Sequence, residues 1–174
     1  MTPTRTQAPV TVRPATPTDL PVLGRLGALL VRTHHELDSV RFIAASPRTE
    51  QGYASWLGSQ LGNPQVIILV AAQNGDVLGY SYSEIEGPDY MSLRGPAGVL
   101  HDIVVDPAQR RNGLGRMLLE ATLEALAARG AAQVVLWTAA LNEAAQRLFA
   151  GAGFRRTMIE MTREAGDGRP PAPV

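Results

Sequence analysis

Two hydrophobic periods alternate along this chain, and the places where one gives way to the other mark its elements. "VTVRPA" (10–15) alternates like a strand, and Thr16-Pro17 then reads as a helix N-cap with proline at the first helical position. Asp19 falls in the first turn, and the helix is expected to run to about Leu37. A second start, Ser46-Pro47, precedes Tyr53, Trp56, Leu57 and Leu61 at helical spacing, with Gly62-Asn63-Pro64 as the stop. In "QVIILVAAQNGDVLGYSYSEIE" (65–86) two β-rich runs meet at Asn74-Gly75, a strong hairpin signal. "GPDYMSLRGPAG" (87–98) is expected as a loop, Val99 to Val105 as a strand, and Gly113 to Arg129 as a helix. That helix has one apolar face, formed by Leu114, Met117, Leu118, Ala121, Ala125 and Leu126, and Gly130 ends it. "AQVVLWTA" (132–139) predicts another strand, "NEAAQRLFAGAG" (142–153) a short helix and "FRRTMIEMT" (154–162) a closing strand. The order β, α, α, β, β, β, α, β, α, β implies a single mixed α/β domain, one sheet with helices on its faces.

Composition narrows the possibilities. With 174 residues and 45% hydrophobic content, one domain with a substantial core is expected over residues 10–163. Flexible ends are expected at 1–9 and at the Pro/Gly-rich 164–174. Sixteen basic residues balance sixteen acidic ones, so no global field draws the chain to nucleic acid or to an anionic membrane. There is no cysteine, which removes disulfides, a thiol nucleophile and Cys-based zinc sites. The longest apolar run, Val66 to Ala72, is too short to span a bilayer, and the start "MTPTRTQAPV" has no apolar signal core. A cytoplasmic protein without a metal is the expectation.

The chemistry concentrates in "HDIVVDPAQRRNGLGRMLLE" (101–120), where a strand hands over to a helix. From Arg111 through Asn112, Gly113, Leu114 and Gly115 to Arg116, backbone N–H groups without intrahelical partners converge at the positive end of a helix dipole. This is an anion site suited to a pyrophosphate. Gly113 and Gly115 leave the donors open, and Arg110, Arg111 and Arg116 add permanent charge. The plainer reading is a tight turn with a solvated basic face. Neither GxxxxGK[ST] nor GxGxxG occurs, so this is not a P-loop or a dinucleotide fingerprint.

"RRNGLG" (110–115) resembles the R/Q-x-x-G-x-G/A segment of the GNAT superfamily of N-acetyltransferases. "NEAAQRLFAGAGFRRT" (142–157) is similar to the family's later N-x-x-A-x-x-L-Y-x-x-x-G-F segment, and "VRPATPTDL" (12–20) to its usual opening. The resemblance implies a splayed central sheet and acetyl-CoA as cosubstrate. It puts the pyrophosphate on the Arg111 to Arg116 amides, and the pantetheine along Ile103, Val104 and Val105. Asn142 would hydrogen-bond the pantetheine arm; read from its residues alone, Asn142 is a helix N-cap. Where many members carry a tyrosine that protonates the departing thiolate, this chain has Phe149. The loss is tolerable, because a thiol of pKa about 8.5 leaves as the thiolate. Tyr80, Tyr82 or a water could take its place.

An alkyl ammonium of pKa about 10.4 is neutral in only about one molecule in a thousand near pH 7, so amine acetylation benefits from a general base. Imidazole is the side-chain type suited to that pH. Some family members that act on small amines have a His or Glu base at the position of His101; the plainer reading is a core histidine bonded to a backbone carbonyl. Strict alternation puts Val99, His101, Ile103 and Val105 on one face and Leu100, Asp102 and Val104 on the other, so Asp102 is expected to pair on the opposite side from His101. Tyr80, Tyr82, Glu84 and Glu86 share a face, which makes Glu84 the second candidate base, and with Asp89 the two glutamates hint at a cationic acceptor. His34-His35 closes the first helix, either as a C-terminal charge contact or as a substrate contact. The expected activity is direct acetyl transfer from acetyl-CoA to a primary amine on a small molecule or peptide. The alternatives are a non-catalytic acyl-CoA-binding or sensory module and a generic nucleotide-binding domain; the latter leaves the Asn142–Phe154 segment unexplained. If the closing strand lies at a sheet edge, a homodimer is possible.

Overall fold

The computed structural model describes residues 8–164. The ends expected to be flexible lie almost wholly outside the described residues. Strand β1 (Thr11–Pro14) leads through a 3-10 turn (Pro17–Asp19) into helix α1 (Leu20–Leu37), followed by α2 (Thr49–Gln60). Strands β2 (Val66–Gln73), β3 (Asp76–Glu86) and β4 (Ala97–Val105) come next, then helix α3 (Leu114–Ala128), strand β5 (Val134–Leu136) and helix α4 (Glu143–Gly151). The sheet order is β1-β2-β3-β4-β5, antiparallel up to β4 and parallel between β4 and β5. Among the described residues no helix is long and apolar enough to cross a membrane.

The local signals act as expected. Asn74 and Gly75 both have positive φ, 53° and 91°, the pair that a two-residue type I′ hairpin needs. At the chain's first corner Asp19 is 5% exposed. Its carboxylate accepts two N–H bonds from Arg13, at 2.8 and 2.9 Å, and one from the Thr16 backbone at 2.8 Å. The Arg13 bonds outweigh burial and hold its pKa down at about 2. A depressed carboxylate stabilises the fold fully above its unfolded pKa of about 3.9, and loses that contribution as pH falls towards the folded value. Because the Arg13 side chain is 37% exposed, screening trims the contribution to about 1–2 kcal/mol. Asp19→Asn is therefore expected to lower urea stability by about that amount near neutral pH and to flatten its fall between about pH 4 and 2. A variant whose stability runs parallel to the parent's through that window contradicts the assignment.

Both faces of the sheet are covered. Leu23 and Leu26 of α1 and Leu57 of α2 pack on Val66, Ile68, Val70, Tyr80, Tyr82 and Val104. On the other face Leu118 and Leu126 of α3 pack on Ile67, Leu69 and Ala71, while Leu119 meets Leu100 and Phe149. Helices α1 and α2 approach closely through Gly24 and Gly27. A Cβ on Gly24 would lie 2.3 Å from the Glu50 carbonyl oxygen, and one on Gly27 would lie 2.2 Å from the Tyr53 ring. Glycine at these two positions thus sets where Tyr53 sits.

Two expectations about strands need correction. Phe154 to Thr162 forms no strand: Met158, Ile159 and Met161 are 70%, 84% and 89% exposed, and the segment's Glu160 pairs with Arg41. Alternating apolar residues make a strand only where a sheet edge pairs with them, and no ladder holds this segment. The edge argument for a homodimer loses its premise with it. The second correction concerns alternation in β4. Tyr82 pairs with Asp102 but Ser83 pairs with Leu100, which leaves His101 as a bulge residue. His101 and Asp102 consequently both lie on the α1/α2 side, with Glu84 and Tyr80 respectively, while Ile103 and Val105 pack on the α3 side.

Candidate active site

The bulge also lies near the point where the sheet opens. β5 pairs with Gly98, Val99 and Leu100 only, whereas β4 continues to Val105 along β3. Past Leu100, one side of β4 therefore has no strand partner among the described residues, and Ile103, Val104 and Val105 lie along that open edge. The expected splay is present. An extended ligand could hydrogen-bond there as an added strand.

The edge leads straight to the loop before α3. Asp106 caps the 3-10 turn Pro107–Gln109 by accepting the Ala108 N–H at 2.9 Å. Arg111 and Gly113 then take left-handed backbone conformations, φ 65° and 77°, and α3 starts at Leu114. Alternating handedness turns successive N–H groups into one concavity. Among the described residues, the N–H groups of Arg111, Asn112 and Gly113 have no backbone acceptor, and those of Leu114, Gly115 and Arg116 are the free ends of a 15-residue helix. The N–H groups expected to hold a phosphate thus lack backbone acceptors among the described residues. Arg110 and Arg111 are exposed without an ion-pair partner among the described residues, whereas Arg116 is drawn along its own helix to Glu120 at 2.7 Å.

Asn142 is the N-cap of α4: its Oδ1 accepts the Ala145 N–H at 3.2 Å. The cap uses the oxygen and leaves the side-chain NH2 as a donor, so both readings of this residue are compatible. Phe149 is 6% exposed and packs with Leu100, Leu119 and the edge of Phe154. Its role here is to fill the core.

On the α1/α2 side the candidate bases meet. His101 Nε2 lies 2.8 Å from Glu84 Oε1 and 3.4 Å from Glu86 Oε1, and all three side chains are about a third or less exposed. An ionised carboxylate only accepts, so Nε2 carries the hydrogen towards Glu84 and Nδ1 keeps a free lone pair. The three ligand atoms lie within 4.8 Å of one another, close enough for one divalent cation. Against that, the Arg94 guanidinium donates to Glu86 Oε2 and already neutralises it. Behind His101, Asp102 accepts the Tyr80 hydroxyl at 2.8 Å, and burial raises its pKa against that bond. Tyr80 is fully buried and held far above the usual phenol range by burial, whereas Tyr82 is raised to about 12, chiefly by burial.

A row of rings runs outward from this cluster, through His101, Tyr82, Trp56 and Tyr53, with successive centroids 5.2, 4.7 and 6.4 Å apart. Two hollows flank Tyr53: one of about 160 Å³ among Leu30, Val31, His34, Phe42 and Ile43, the other of about 280 Å³ beside Gly52 and Trp56. His34 edges onto Phe42 in the first hollow, and His35 bonds the Phe42 carbonyl, so the histidine pair positions this wall. Sequence reasoning assigned Tyr53 and Trp56 only to a helix's apolar face and missed Phe42 and Ile43. No local signal marks them, since their role depends on which sheet residues they face.

Residues 31–154 match the Acetyltransferase (GNAT) family. The chain is 35% identical over 96 residues to a mycothiol acetyltransferase of Thermobispora bispora, covering 53% of this chain and 31% of that protein. It is 32% identical over 115 residues to the [ribosomal protein bS18]-alanine N-acetyltransferase of Escherichia coli, covering 66% of this chain and 69% of that one. The chain thus spans between a quarter and a third of the length of the mycothiol acetyltransferases it matches. A solved Bacillus halodurans protein superimposes with TM-score 0.77 at 19% identity over 88% of this chain and 98% of the other. An aminoglycoside N-acetyltransferase solved with CoA does so with TM-score 0.69 at 18% identity, over 94% and 99%. These two likenesses establish the fold, and with the match over residues 31–154 they lead to one conclusion: the chain belongs to the GNAT family of acetyltransferases.

Proposed function

We propose that the protein transfers acetyl from acetyl-CoA to a primary amine by direct attack in a ternary complex. The observation that carries this reading is the continuity of the unpaired edge of β4 with the unsatisfied amides of Arg111–Gly113. An extended arm ending in a pyrophosphate needs that pair of features. The mycothiol and bS18-alanine acetyltransferases among the relatives act on different acceptors, so family membership leaves the acceptor open.

In this reading bound acetyl-CoA supplies a thioester at the bulge. The N–H groups of the 111–116 loop hold the pyrophosphate, and the Asn142 NH2 donates to the arm. On the opposite side Glu84 attracts the acceptor ammonium. Its proton passes to His101 Nδ1, directly or through a water, and Glu84 stabilises the imidazolium. The neutral amine then forms the new C–N bond as the C–S bond breaks, and the attacking nitrogen's second proton is lost to water. Tyr82, raised to about 12, remains protonated on the α1/α2 side with His101 and is the nearer of the two candidate tyrosines to solvent. No covalent enzyme intermediate is needed.

A second reading, a non-catalytic acyl-CoA-binding module, is favoured by phenylalanine at position 149. Release of free CoA thiol, followed across a panel of primary amines at saturating acetyl-CoA, separates the two. Amine-dependent release is expected; tight acetyl-CoA binding with no amine-dependent release across the panel would leave only the binding module.

A further inference from the structure

We infer that the acceptor is a primary amine bearing a single positive charge next to an apolar, preferably aromatic, substituent. This specificity rests on the acetyl-transfer reading and adds to it the chemistry of the acceptor side. It follows from how the charges on the α1/α2 face are already matched and from what lies beside them.

Two glutamates point to this face, but only one is free. Arg94, whose side chain is 10% exposed, donates to Glu86, which leaves Glu84 with His101 as the group for an incoming ammonium. The other nearby acids are engaged locally. Asp89 accepts the Ser92 hydroxyl and the Met91 and Ser92 N–H groups, closing its own turn. Asp38 accepts the Val40 and Arg41 N–H groups. Asp102 is raised by burial and bonded to Tyr80. Within the cluster at His101, a polyamine or an aminosugar carrying several ammonium groups would find one carboxylate without a cationic partner and would desolvate its other charges there without compensation.

The rings that run on from His101 suit a different molecule. From His101 the ring row leads through Tyr82 and Trp56 to Tyr53, and the two hollows on either side of Tyr53 are lined mainly by carbon. An enclosed apolar cavity of about 150 Å³ accepts a benzene ring, so these open hollows, of about 160 and 280 Å³, have room for one. The half-exposed Trp56 ring also favours a cation close by. An ammonium at Glu84 and a ring near Tyr53 would use both features at once. This chemistry occurs in free arylalkylamines and in the first residue of a peptide with an apolar side chain.

The test compares initial rates with phenethylamine, a tetrapeptide beginning with phenylalanine, ethylamine and spermidine, together with an Ile43→Asp variant. Ile43 is 79% exposed, so the variant should fold normally. The expected result is a KM for phenethylamine or the peptide at least about tenfold below that for ethylamine, with spermidine no better than ethylamine. Which of the two aromatic acceptors prevails identifies the source. Ile43→Asp should raise the aromatic acceptor's KM several-fold and leave the acetyl-CoA KM unchanged. Equal KM values for ethylamine and the aromatic amines, a preference for spermidine, or an indifferent Ile43→Asp would overturn the inference while the acetyl-transfer reading stands. If no amine is acetylated, that reading fails, and the inference is judged by binding. In a Trp137→Phe background, where Trp56 is the remaining tryptophan, phenethylamine should change the fluorescence saturably and ethylamine should not. The absence of that difference overturns it as well.

Discussion

Replacing His101 with glutamine is expected to lower kcat/KM for amine acetylation by roughly 10²-fold, the usual contribution of a positioned general base. The side chain projects from a bulge and is 31% exposed, so its removal leaves no buried cavity and the fold should persist. Because its proposed role concerns only the acceptor's proton, the affinity for acetyl-CoA should stay within about twofold. If His101 is the base, kcat/KM should rise with pH in the parent in a way that it does not in the variant. The variant should regain rate as pH approaches the amine's own ionisation, where the neutral nucleophile no longer needs a base. Glu84→Gln should give a smaller loss, since an amide can still accept the Nε2 hydrogen bond at 2.8 Å but no longer stabilises an imidazolium by charge. A histidine with only a structural role predicts the opposite: lower thermal stability, an unchanged pH profile and no rescue. If His101→Gln retained the parent's kcat/KM and its pH limb, the base would have to be sought at Glu84 or in a water chain.

Gly113→Val is expected to weaken acetyl-CoA binding by about tenfold or more, equivalent to 1.4 kcal/mol. The structure locates the cause in backbone conformation. A Cβ at Gly113 would meet nothing within 4 Å, but φ there is 77°, a region that costs an L-residue about 1–2 kcal/mol and a β-branched one more. Valine would push the loop towards negative φ and turn the Asn112 to Leu114 N–H groups away from their common focus. Gly115 serves as the control. Its Cβ would lie 3.5 Å from Leu148, an ordinary contact, so Gly115→Ala should fold as the parent does. Arg111→Gly separates charge from shape: it suits the φ of 65° without strain and deletes only the guanidinium. It should weaken binding in a salt-dependent way, whereas the Gly113→Val loss should persist at high salt. Normal acetyl-CoA affinity in a folded Gly113→Val protein would refute the phosphate-loop assignment.

Elements defined by local chemistry are legible in the amino-acid order alone. The Asn74-Gly75 hairpin, the Thr16-Pro17 helix start and the 111–116 loop each depend on the conformational preferences of a few adjacent residues, and those preferences do not change with the fold. The amphipathic helix after Gly113 is legible for the same reason. "FRRTMIEMT" misleads because its alternation states what a strand could bury and says nothing of whether a neighbouring edge receives it.

The sequence by itself determined the mixed α/β class, the family resemblance and the loop proposed here to bind a pyrophosphate, because each is carried by short contiguous motifs. Only the tertiary structure decided how the acceptor side is built. The bulge at His101 turns two successive residues to one face, and nothing in "VLHDIV" announces it, since a bulge is a property of the pairing between two strands. The same is true of the charge balance: Glu84 and Glu86 are equivalent by alternation until Arg94, arriving from the following loop, neutralises one of them. It holds again for Phe149, which the motif aligns with a tyrosine acid but which packing commits to the core with Leu100 and Leu119. In each case the deciding contact depends on how one element meets another strand, loop or helix, which the residue pattern within that element does not state.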